Sequence, residues 1–310
     1  MNTTDFTNKI IGAFLGFIVA DAMGVPAEFT TRQARDEDPI FEMRGYEVYD
    51  QPPGTWSDDS SLLLCSIQTI SEGYSIQKLA HYFIEWYRTG YMSAHGEIFD
   101  IGLATRIALS NIMMKVPLLL CGGDDEYSNG NGALMRILPF AFVLRDKDFS
   151  YKLALITEVC SLTHRHPRSI LACLIYVEFV INLISLDKYA AYEKTMNFIS
   201  ITNVFKKDFK FYHRLFSGEI LVAERDEIKS TGYVVYSLES AIWSFMSTNN
   251  YDQAIVRAIN LGGDTDTIGA ITGGLAGVYY GFSAIPKDWL SYIVGQDKIY
   301  TVCKDYLAII

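Results

Sequence analysis

Apolar residues recur along most of this 310-residue chain at intervals of three and four positions. The runs Leu63–Ile70 and Leu155–Leu162 show this spacing, which places apolar side chains on one face of an α-helix. Alternation of the strand type is scarce. Clusters of Pro and Gly at 51–54 and 128–132 predict loops between helices. The pattern therefore predicts one all-α domain over residues 1–310, with loops that converge on a site.

Two stretches carry a small residue at every fourth position, which is about once per helical turn. These residues are Gly12, Gly16, Ala20 and Gly24 in the first stretch, and Gly269, Gly273, Gly277 and Gly281 in the second. Glycine inside a helix costs roughly 1 kcal/mol relative to alanine, so such a stripe implies a compensating close contact. We expect the two stripes to pack against each other and to hold a neighbouring site rigidly.

The apolar run Ile10–Ala20 is similar to the hydrophobic region of a signal peptide. Asp5 and a single Lys9 precede it, and the first small-residue stripe passes through it, so a buried core helix is the better prediction. The uncharged run Ile268–Ile285 is slightly short for a membrane span and rich in glycine, and it favours the same interpretation. We therefore expect no membrane association.

Charge and cysteine content narrow the classes of partner and compartment. The formal net charge is −10, and no Lys/Arg-rich stretch is present to neutralise phosphates, so nucleic acid is not an expected partner. A small or protein-borne ligand fits better. The five cysteines are odd in number and include no C-x-x-C pair, so neither a disulfide framework nor a zinc site is indicated. Cysteines without an indicated disulfide framework fit a reducing compartment, so we predict a cytoplasmic protein.

Two acidic clusters carry the strongest chemical signal. Ser57-Asp58-Asp59-Ser60 and Gly262-Gly263-Asp264-Thr265-Asp266-Thr267 each open an apolar stretch with helical spacing. One interpretation is that each cluster merely caps a helix, because Ser and Asp are preferred capping residues. The other is that the fold brings the two helix starts together, so that their oxygens bind one or two Mg²⁺ or Mn²⁺ ions. The presence of two such clusters favours the second.

The second cluster is also close to two other known signatures. Asp264–Ile268 nearly matches the D-x-D-x-[TV] nucleophile motif of haloacid-dehalogenase-type phosphatases. That motif follows a buried strand, whereas residues 254–263 have the pattern of a helix end. The segment also does not match an EF-hand calcium-binding loop, because Ile268 and Leu275 occupy positions that need oxygen ligands.

Two further segments are candidates for ligand contacts. Ser128–Arg136 is a glycine- and asparagine-rich loop entering a helix, which can cradle a diphosphate through backbone N–H groups, although an ordinary Asn-Gly turn gives the same pattern. Thr163–Pro167 contains His164 and His166 without further zinc ligands nearby, so either histidine can equally be a hydrogen-bonded core or surface residue.

Several short motifs follow one another in order along nearly the whole chain. They are Gly12–Gly16 with Asp21–Phe29, Gly54–Ser60, Phe99–Gly102, Gly130–Gly132, Thr163–His164, Thr231–Val235 and Asn260–Thr267. This ordered set resembles the ADP-ribosylhydrolase family, also called ADP-ribosylglycohydrolases, including the dinitrogenase reductase-activating glycohydrolases. Four positions depart from the family pattern: Ser57 and Ser60 replace threonines, Ala20 replaces a glycine and Tyr236 replaces an aspartate.

The resemblance implies a compact, single-domain orthogonal helical bundle with a centre of two Mg²⁺ or Mn²⁺ ions. The metal ligands it implies are Ser57, Asp58, Asp59, Asp264, Asp266 and Thr267. It places Glu28 over the metal centre, with Glu28, Asp58 and Asp266 as the catalytic residues. The ADP-ribose contacts it implies are Asp100, Gly130, Asn131, Gly132, His164, Gly232 and Tyr233.

The reaction implied by the resemblance is hydrolysis of the bond between C1 of the distal ribose and a modified protein side chain. Arginine is the expected acceptor, from the motifs at 21–29 and 232–235, and we expect the acidic residues Asp124, Asp125 and Glu126 to attract its guanidinium. Two alternatives remain from the sequence: a non-catalytic ADP-ribose-binding protein, and an immunity protein that blocks an ADP-ribosyltransferase.

Overall fold

The computed structural model describes residues 3–310 and is 67% helical. The α-helices in the described residues are α1 (Thr3–Gly24), α2 (Arg32–Glu37), α3 (Asp58–Ser71), α4 (Ile76–Thr89), α5 (Leu103–Met113), α6 (Leu138–Leu144), α7 (Phe149–Ser161), α8 (Pro167–Leu183), α9 (Lys188–Thr202), α10 (His213–Ser217), α11 (Val234–Met246), α12 (Tyr251–Ile259), α13 (Thr265–Tyr280), α14 (Lys287–Tyr292) and α15 (Gln296–Leu307). Within this range there is no β-strand, only isolated bridges that join Gly123 to His164 and Gly130 to Tyr233. The predicted all-α, single-domain fold class is confirmed; its predicted extent of 1–310 includes Met1 and Asn2, which lie outside the described residues.

Many of the helices begin where the sequence supplies a short polar side chain. Ser57, Ser75, Asp148, Asp187 and Asn250 each accept a hydrogen bond from a backbone N–H in the first turn of α3, α4, α7, α9 and α12, respectively. These side chains satisfy N–H groups that have no acceptor within the helix, which fixes where each helix starts. The start of α3 therefore coincides with the first acidic cluster.

The centre of the fold is the pair α1 and α13, which pack along their glycine stripes. A Cβ atom on Gly12 would lie 2.5 Å from the carbonyl oxygen of Gly277, and one on Gly16 would lie 2.7 Å from that of Gly273. Only residues without a side chain permit this backbone-to-backbone approach. The predicted pairing of the two stripes is confirmed, and it anchors the start of α13, where Asp266 lies, against the end of α1.

Helix α1 is long and apolar enough to cross a membrane by length and composition, but 94% of its most apolar stretch is buried inside the protein. Its side chains join one continuous core that also includes residues of α3, α8, α11 and α13. The expectation that Ile10–Ala20 forms a core helix is therefore confirmed. The five cysteines are buried free thiols.

The second acidic cluster follows helix α12, which ends at Ile259. The phosphatase motif would need a buried strand at this place, and the described chain has a helix there instead. The phosphatase interpretation of Asp264–Ile268 is thereby excluded.

Candidate active site

The first turn of α3 is held in place by a buried carboxylate from α1. Asp21 accepts hydrogen bonds from the amides of Ser57 and Ser60, each at 3.0 Å, and from the Ser60 hydroxyl. Burial raises the pKa of Asp21 to about 6, although the bonds from both serines act in the opposite direction. Serine supplies the same hydroxyl as the family threonines, so the substitution at Ser60 preserves this contact.

The second cluster is positioned by a tight turn ahead of α13. Gly262 and Gly263 have φ values of +70° and +76°, in the left-handed region that favours glycine. The amide of Gly263 donates to the carbonyl of Thr30 over 2.8 Å, and its carbonyl accepts from the amide of Phe29 over 2.7 Å. These two backbone hydrogen bonds place the turn that carries Asp264 directly beside the segment that carries Glu28.

The two acidic clusters meet at the N-terminal ends of α3 and α13. The Thr267 hydroxyl donates to Oδ2 of Asp59 over 3.2 Å, and the Ser57 hydroxyl donates to the same oxygen over 3.1 Å. Carboxylate oxygens of Glu28, Asp264 and Asp266 lie within 4.8 Å of one another, and all three residues are buried. The expectation that the fold brings the two helix starts together is confirmed, and Glu28 joins them.

In the described part of the chain, the carboxylates of this cluster have no positively charged side chain to balance them, which favours a bound cation. Burial, reinforced by repulsion from neighbouring carboxylates, raises the pKa values of five acids in it, which are Glu28, Asp58, Asp59, Asp264 and Asp266. Among the described residues, no Lys or Arg forms an ion pair with any of them. Two of their buried oxygens, Glu28 Oε2 and Asp59 Oδ1, also lack a hydrogen-bond donor in the same part of the chain. A set of buried, unpaired carboxylate and hydroxyl oxygens fits a hard divalent cation.

Glu28 occupies the turn that follows the 3₁₀ segment Val25–Ala27. Burial raises its pKa to about 9, with nearby Asp100 as the next contributor, while a hydrogen bond from Tyr49 acts to lower it. Tyr49 also hydrogen-bonds Asp100, and its ring packs against that of Phe99 with centroids 5.1 Å apart. Tyr49 thus lies beside two acids of the site, and nothing in the sequence pattern around it signals that position.

A cleft of about 380 Å³ opens over the acidic cluster. The predicted site residues that line it are Glu28, Asp58, Asp59, Asp100, Gly130, Asn131, Gly132, His164, Gly232, Asp264 and Thr267. Three predicted residues do not line it: Ser57 and Asp266 lie behind the surface, in contact with the other acids, and Tyr233 lies to one side. The rim carries apolar Phe29 and Leu103, which are 70% and 72% exposed.

Comparison with known proteins places the chain in a family. The sequence model of the ADP-ribosylglycohydrolase family matches residues 2–310. The chain belongs to the ADP-ribosylglycohydrolase family. It is 34% identical over 294 residues to ADP-ribosylarginine hydrolase Tri1 of Serratia proteamaculans, covering 94% of this chain and 77% of that one. It is 26% identical over 288 residues to ADP-ribosyl-[dinitrogen reductase] glycohydrolase of Rhodospirillum rubrum, covering 92% and 90%. A solved structure named ADP-ribosylglycohydrolase-related protein complex matches with a TM-score of 0.82 at 26% identity, over 99% of each chain.

In this member of the family, one wall of the cleft is formed by the glycine-rich loop and His164. The side-chain amide of Asn131 donates to Oδ2 of Asp264 over 2.7 Å, and its backbone N–H donates to the carbonyl of Gly232 over 3.1 Å. A Cβ atom on Gly132 would lie 2.6 Å from the His164 ring, so glycine is required for this packing. Burial, with Arg136 nearby, lowers the pKa of His164 to about 3, so the imidazole is neutral.

The second histidine of that motif has a structural role. His166 caps α8, because its Nδ1 accepts a hydrogen bond from the Arg168 amide over 3.1 Å. Arg136, at the end of the glycine-rich loop, is fully buried and donates to the carbonyl of Gly132 and, over 2.8 Å, to the hydroxyl of Thr163. Arg136 therefore supports the loop from behind and does not face the cleft.

The expectation that Asp124, Asp125 and Glu126 attract a guanidinium is wrong. Arg165 pairs with Asp124 and Arg168 pairs with Glu126, each at 2.7 Å. Asp125 accepts hydrogen bonds from the Tyr127 amide and the Ser128 hydroxyl, and none of the three acids lines the cleft. The arginines are distant in sequence, so the pairing of Asp124 and Glu126 could not be seen from the composition of the loop.

The aromatic pair at the start of α11 lies beside the cleft. Tyr233 accepts a hydrogen bond from Arg168 over 3.5 Å and packs edge-on against Tyr236, with ring centroids 4.9 Å apart. Tyr236, which replaces the family aspartate, also accepts a hydrogen bond from Lys229 over 3.1 Å. The departure at Tyr236 is thus accommodated by a surface contact with Lys229 and leaves the acidic cluster untouched.

Proposed function

We propose that this protein is a metal-dependent hydrolase that removes ADP-ribose from modified arginine side chains by cleaving the bond at C1 of the distal ribose. The observation that carries this proposal is the convergence of five buried carboxylates beneath one cleft. Two relatives named as hydrolases of ADP-ribosylated substrates support it, since each aligns with more than nine-tenths of this chain. A cytoplasmic location and an ADP-ribosyltransferase as a further partner belong to the same proposal.

The acids and hydroxyls of the two helix starts form the donor set for the metal. The residues that would hold two Mg²⁺ or Mn²⁺ ions are Ser57, Asp58, Asp59, Asp264, Asp266 and Thr267. When bound, such ions would neutralise the clustered carboxylates and act as Lewis acids toward oxygen atoms in the cleft. The oxygen-only chemistry of this set fits a hard cation and excludes sites that need cysteine or histidine ligands.

Among the residues of the chain itself, Glu28 is the best placed to move a proton. It lines the cleft, and its Oε2 has no hydrogen-bond donor among the described residues. Tyr49 donates a hydrogen bond to it from one side. These features suit a general acid or base that acts at the scissile bond.

The opposite wall is suited to the anionic part of ADP-ribose. Gly130 and Gly132 expose backbone without side chains, and neutral His164 lies against them. Asn131 ties this wall to the acidic cluster through its bond to Asp264. We infer that the loop orients the ribose-diphosphate while excluding bulk water from the bond to be cleaved.

We propose arginine as the acceptor because the Serratia proteamaculans relative is named an ADP-ribosylarginine hydrolase. Asp124 and Glu126 do not support this choice, since they already pair with Arg165 and Arg168. Matched peptides carrying a single ADP-ribosyl-arginine or ADP-ribosyl-serine provide the test. With Mg²⁺, mass spectrometry should show unmodified arginine peptide and intact ADP-ribose, with slower release from serine. Release of AMP would place the cleavage elsewhere, and faster release from serine would overturn the acceptor assignment.

Two controls complete this experiment. EDTA should stop release, and its failure to do so would contradict metal dependence. Tight binding of the modified peptide without any release, in the presence of Mg²⁺, would instead support the non-catalytic binding or immunity alternative.

A further inference from the structure

The outward face of α5 is apolar. Leu103, Ile107 and Met114 are 72%, 52% and 65% exposed, and Met114 directly follows the last residue of the helix. They are separated by four and seven positions, so their side chains lie along one side of the helix. Ala108 and Leu109, on the opposite side, are buried. A helix at the surface of a soluble protein usually presents polar side chains to water, so this face is unusual.

Few polar groups interrupt this face. Arg106 and Ser110 are its exposed polar residues, and Arg106 is the only charged residue of α5. No carboxylate in residues 3–310 forms an ion pair with Arg106. Leu119 and Leu120, in the segment after the helix, are exposed as well. A run of exposed apolar side chains with so little charge is typical of a surface that another molecule covers.

The face starts at the mouth of the acidic cleft. Leu103 lines the cleft, and so does Phe29, which follows Glu28 and is 70% exposed. Ile107 and Met114 lie outside the cleft lining. An ADP-ribosylated side chain that places its bond beside Glu28 has to enter through this mouth, because the acids beneath the cleft are buried. The polypeptide that carries it therefore passes over the rim, where α5 begins.

The length of the face matches a short stretch of polypeptide. A helix rises about 1.5 Å per residue, so Leu103 and Met114 lie about 16 Å apart along it. An extended chain advances about 3.3 Å per residue, so about five residues span this distance. A substrate segment of that length, counted from the rim, reaches the far end of the face.

The charge of the protein argues against a second copy as the occupant. Each copy has a formal net charge of −10, so two copies repel one another. An apolar segment of a different protein carries no such cost, and Arg106 favours a segment with an acidic side chain. The position of the face adds a second reason, since a substrate protein must lie at this rim and a second copy need not.

We propose that the outward face of α5, together with Phe29, binds the polypeptide of the modified protein through apolar side chains within about five residues of the ADP-ribosylated one. This inference rests on the proposed function, because it requires an ADP-ribosyl group that is carried by a protein. Ile107 and Met114, which do not line the cleft, then determine which modified proteins bind without contacting the ADP-ribose itself.

Two peptides with one central ADP-ribosyl-arginine test this surface. They are identical except that the third and fourth positions on each side of the arginine carry leucine in one and glutamine in the other, so both have the same charge. Fluorescence anisotropy in EDTA measures binding while the proposed hydrolysis is stopped, and release of ADP-ribose with Mg²⁺ gives kcat/KM. The leucine peptide should bind about tenfold or more tightly, with kcat/KM higher by about the same factor, since apolar burial adds affinity.

The double variant Ile107→Gln with Met114→Gln should bring the affinities of the two peptides to within about twofold of each other, because glutamine suits a helix but removes the apolar contact. Both side chains are exposed, so the variant should fold, which circular dichroism checks. Ile201→Gln, on α9 and 75% exposed, removes the same side chain outside this face. It is the matched control and should keep the full preference for leucine.

Equal binding of the two peptides by the parent, or an unchanged preference in the double variant, would overturn this docking surface. A parental dimer that the double variant dissociates, in analytical ultracentrifugation, would also overturn it and would assign the face to a second copy. Absence of ADP-ribose release with Mg²⁺ would contradict the proposed function alone, because anisotropy still reports the preference for leucine.

Discussion

The hydroxyl of Thr267 donates a hydrogen bond to Oδ2 of Asp59 over 3.2 Å, and the two residues are 208 positions apart in the chain. This bond joins the first turns of α3 and α13, so each acidic cluster completes the donor set of the other. Neither cluster has enough oxygens by itself for a binuclear centre. The metal binding that we propose should therefore depend on both helix starts together.

Asp266→Asn should abolish turnover and reduce the thermal stabilisation produced by Mg²⁺. An ion at 100 times its dissociation constant stabilises the native state by about 2.7 kcal/mol, and the variant should lose most of this. In EDTA the variant should be at least as stable as the parent, because it removes one of several mutually repelling carboxylates. Thermal unfolding with and without Mg²⁺ measures both effects. Asp252→Asn, on α12, is the control, and an unchanged Mg²⁺ response in Asp266→Asn would argue against a shared site.

Glu28→Gln should lower kcat by about 10²- to 10⁴-fold, the usual range for a general acid or base, while ADP-ribose binding changes little. The amide keeps the shape of the side chain and its neighbours, Tyr49 and Asp100, but it cannot exchange a proton. Single-turnover release of ADP-ribose and calorimetric binding to the same protein separate the two quantities. A variant that keeps more than about half of the parental rate would assign the proton transfer to another group.

Gly16→Ala should destabilise the fold by about 1–3 kcal/mol, because the new Cβ would lie 2.7 Å from the carbonyl oxygen of Gly273. This overlap outweighs the roughly 1 kcal/mol that alanine gains over glycine in a helix. Gly102→Ala is the control for added volume, since its φ is −60° and the nearest atom would lie 3.9 Å away. Gly102 is the N-cap of α5, where alanine should cost no more than about 1 kcal/mol. Urea denaturation measures both variants, and equal stability for the two would contradict close packing of α1 on α13.

Stability should fall between about pH 4.5 and pH 7 through Glu239, which is remote from the acidic cluster. Burial raises its pKa from 4.5 to about 7, although Arg214 and Lys229 act to lower it. The stability contributed by the protonated carboxyl is therefore complete below pH 4.5 and lost as the pH rises through about 7. Glu239→Gln keeps a neutral side chain, so at pH 8 it should be more stable than the parent by roughly 1–3 kcal/mol.

Denaturant unfolding of the parent and of Glu239→Gln at pH 5 and pH 8 measures this difference. Glu193→Gln, an exposed position on α9, should show no such change. A stability difference between Glu239→Gln and the parent that is the same at both pH values would show that Glu239 is ionised throughout.

Local sequence determined the helices and the places where they begin. Residues such as Ser57 and Asn250 satisfy N–H groups of the next turn, so capping is a local matter that a short window of sequence reveals. The glycine stripes also predicted their own pairing, because a repeated helix-weakening residue needs a compensating contact. The amino-acid pattern was therefore sufficient to place each acidic cluster at the start of a helix, and it favoured a shared site.

Tertiary structure alone decided which charges meet. Asp21 holds the first turn of α3, and Tyr49 lies beside Glu28 and Asp100. Arg165 and Arg168 pair with two of the three acids in the loop that the sequence suggested as an arginine subsite. Each of these contacts joins residues that are far apart along the chain, and the strength of each depends on burial and on distances of a few ångströms. Periodicity and composition carry no such information, because they report the local conformation of the chain and not the packing of its helices.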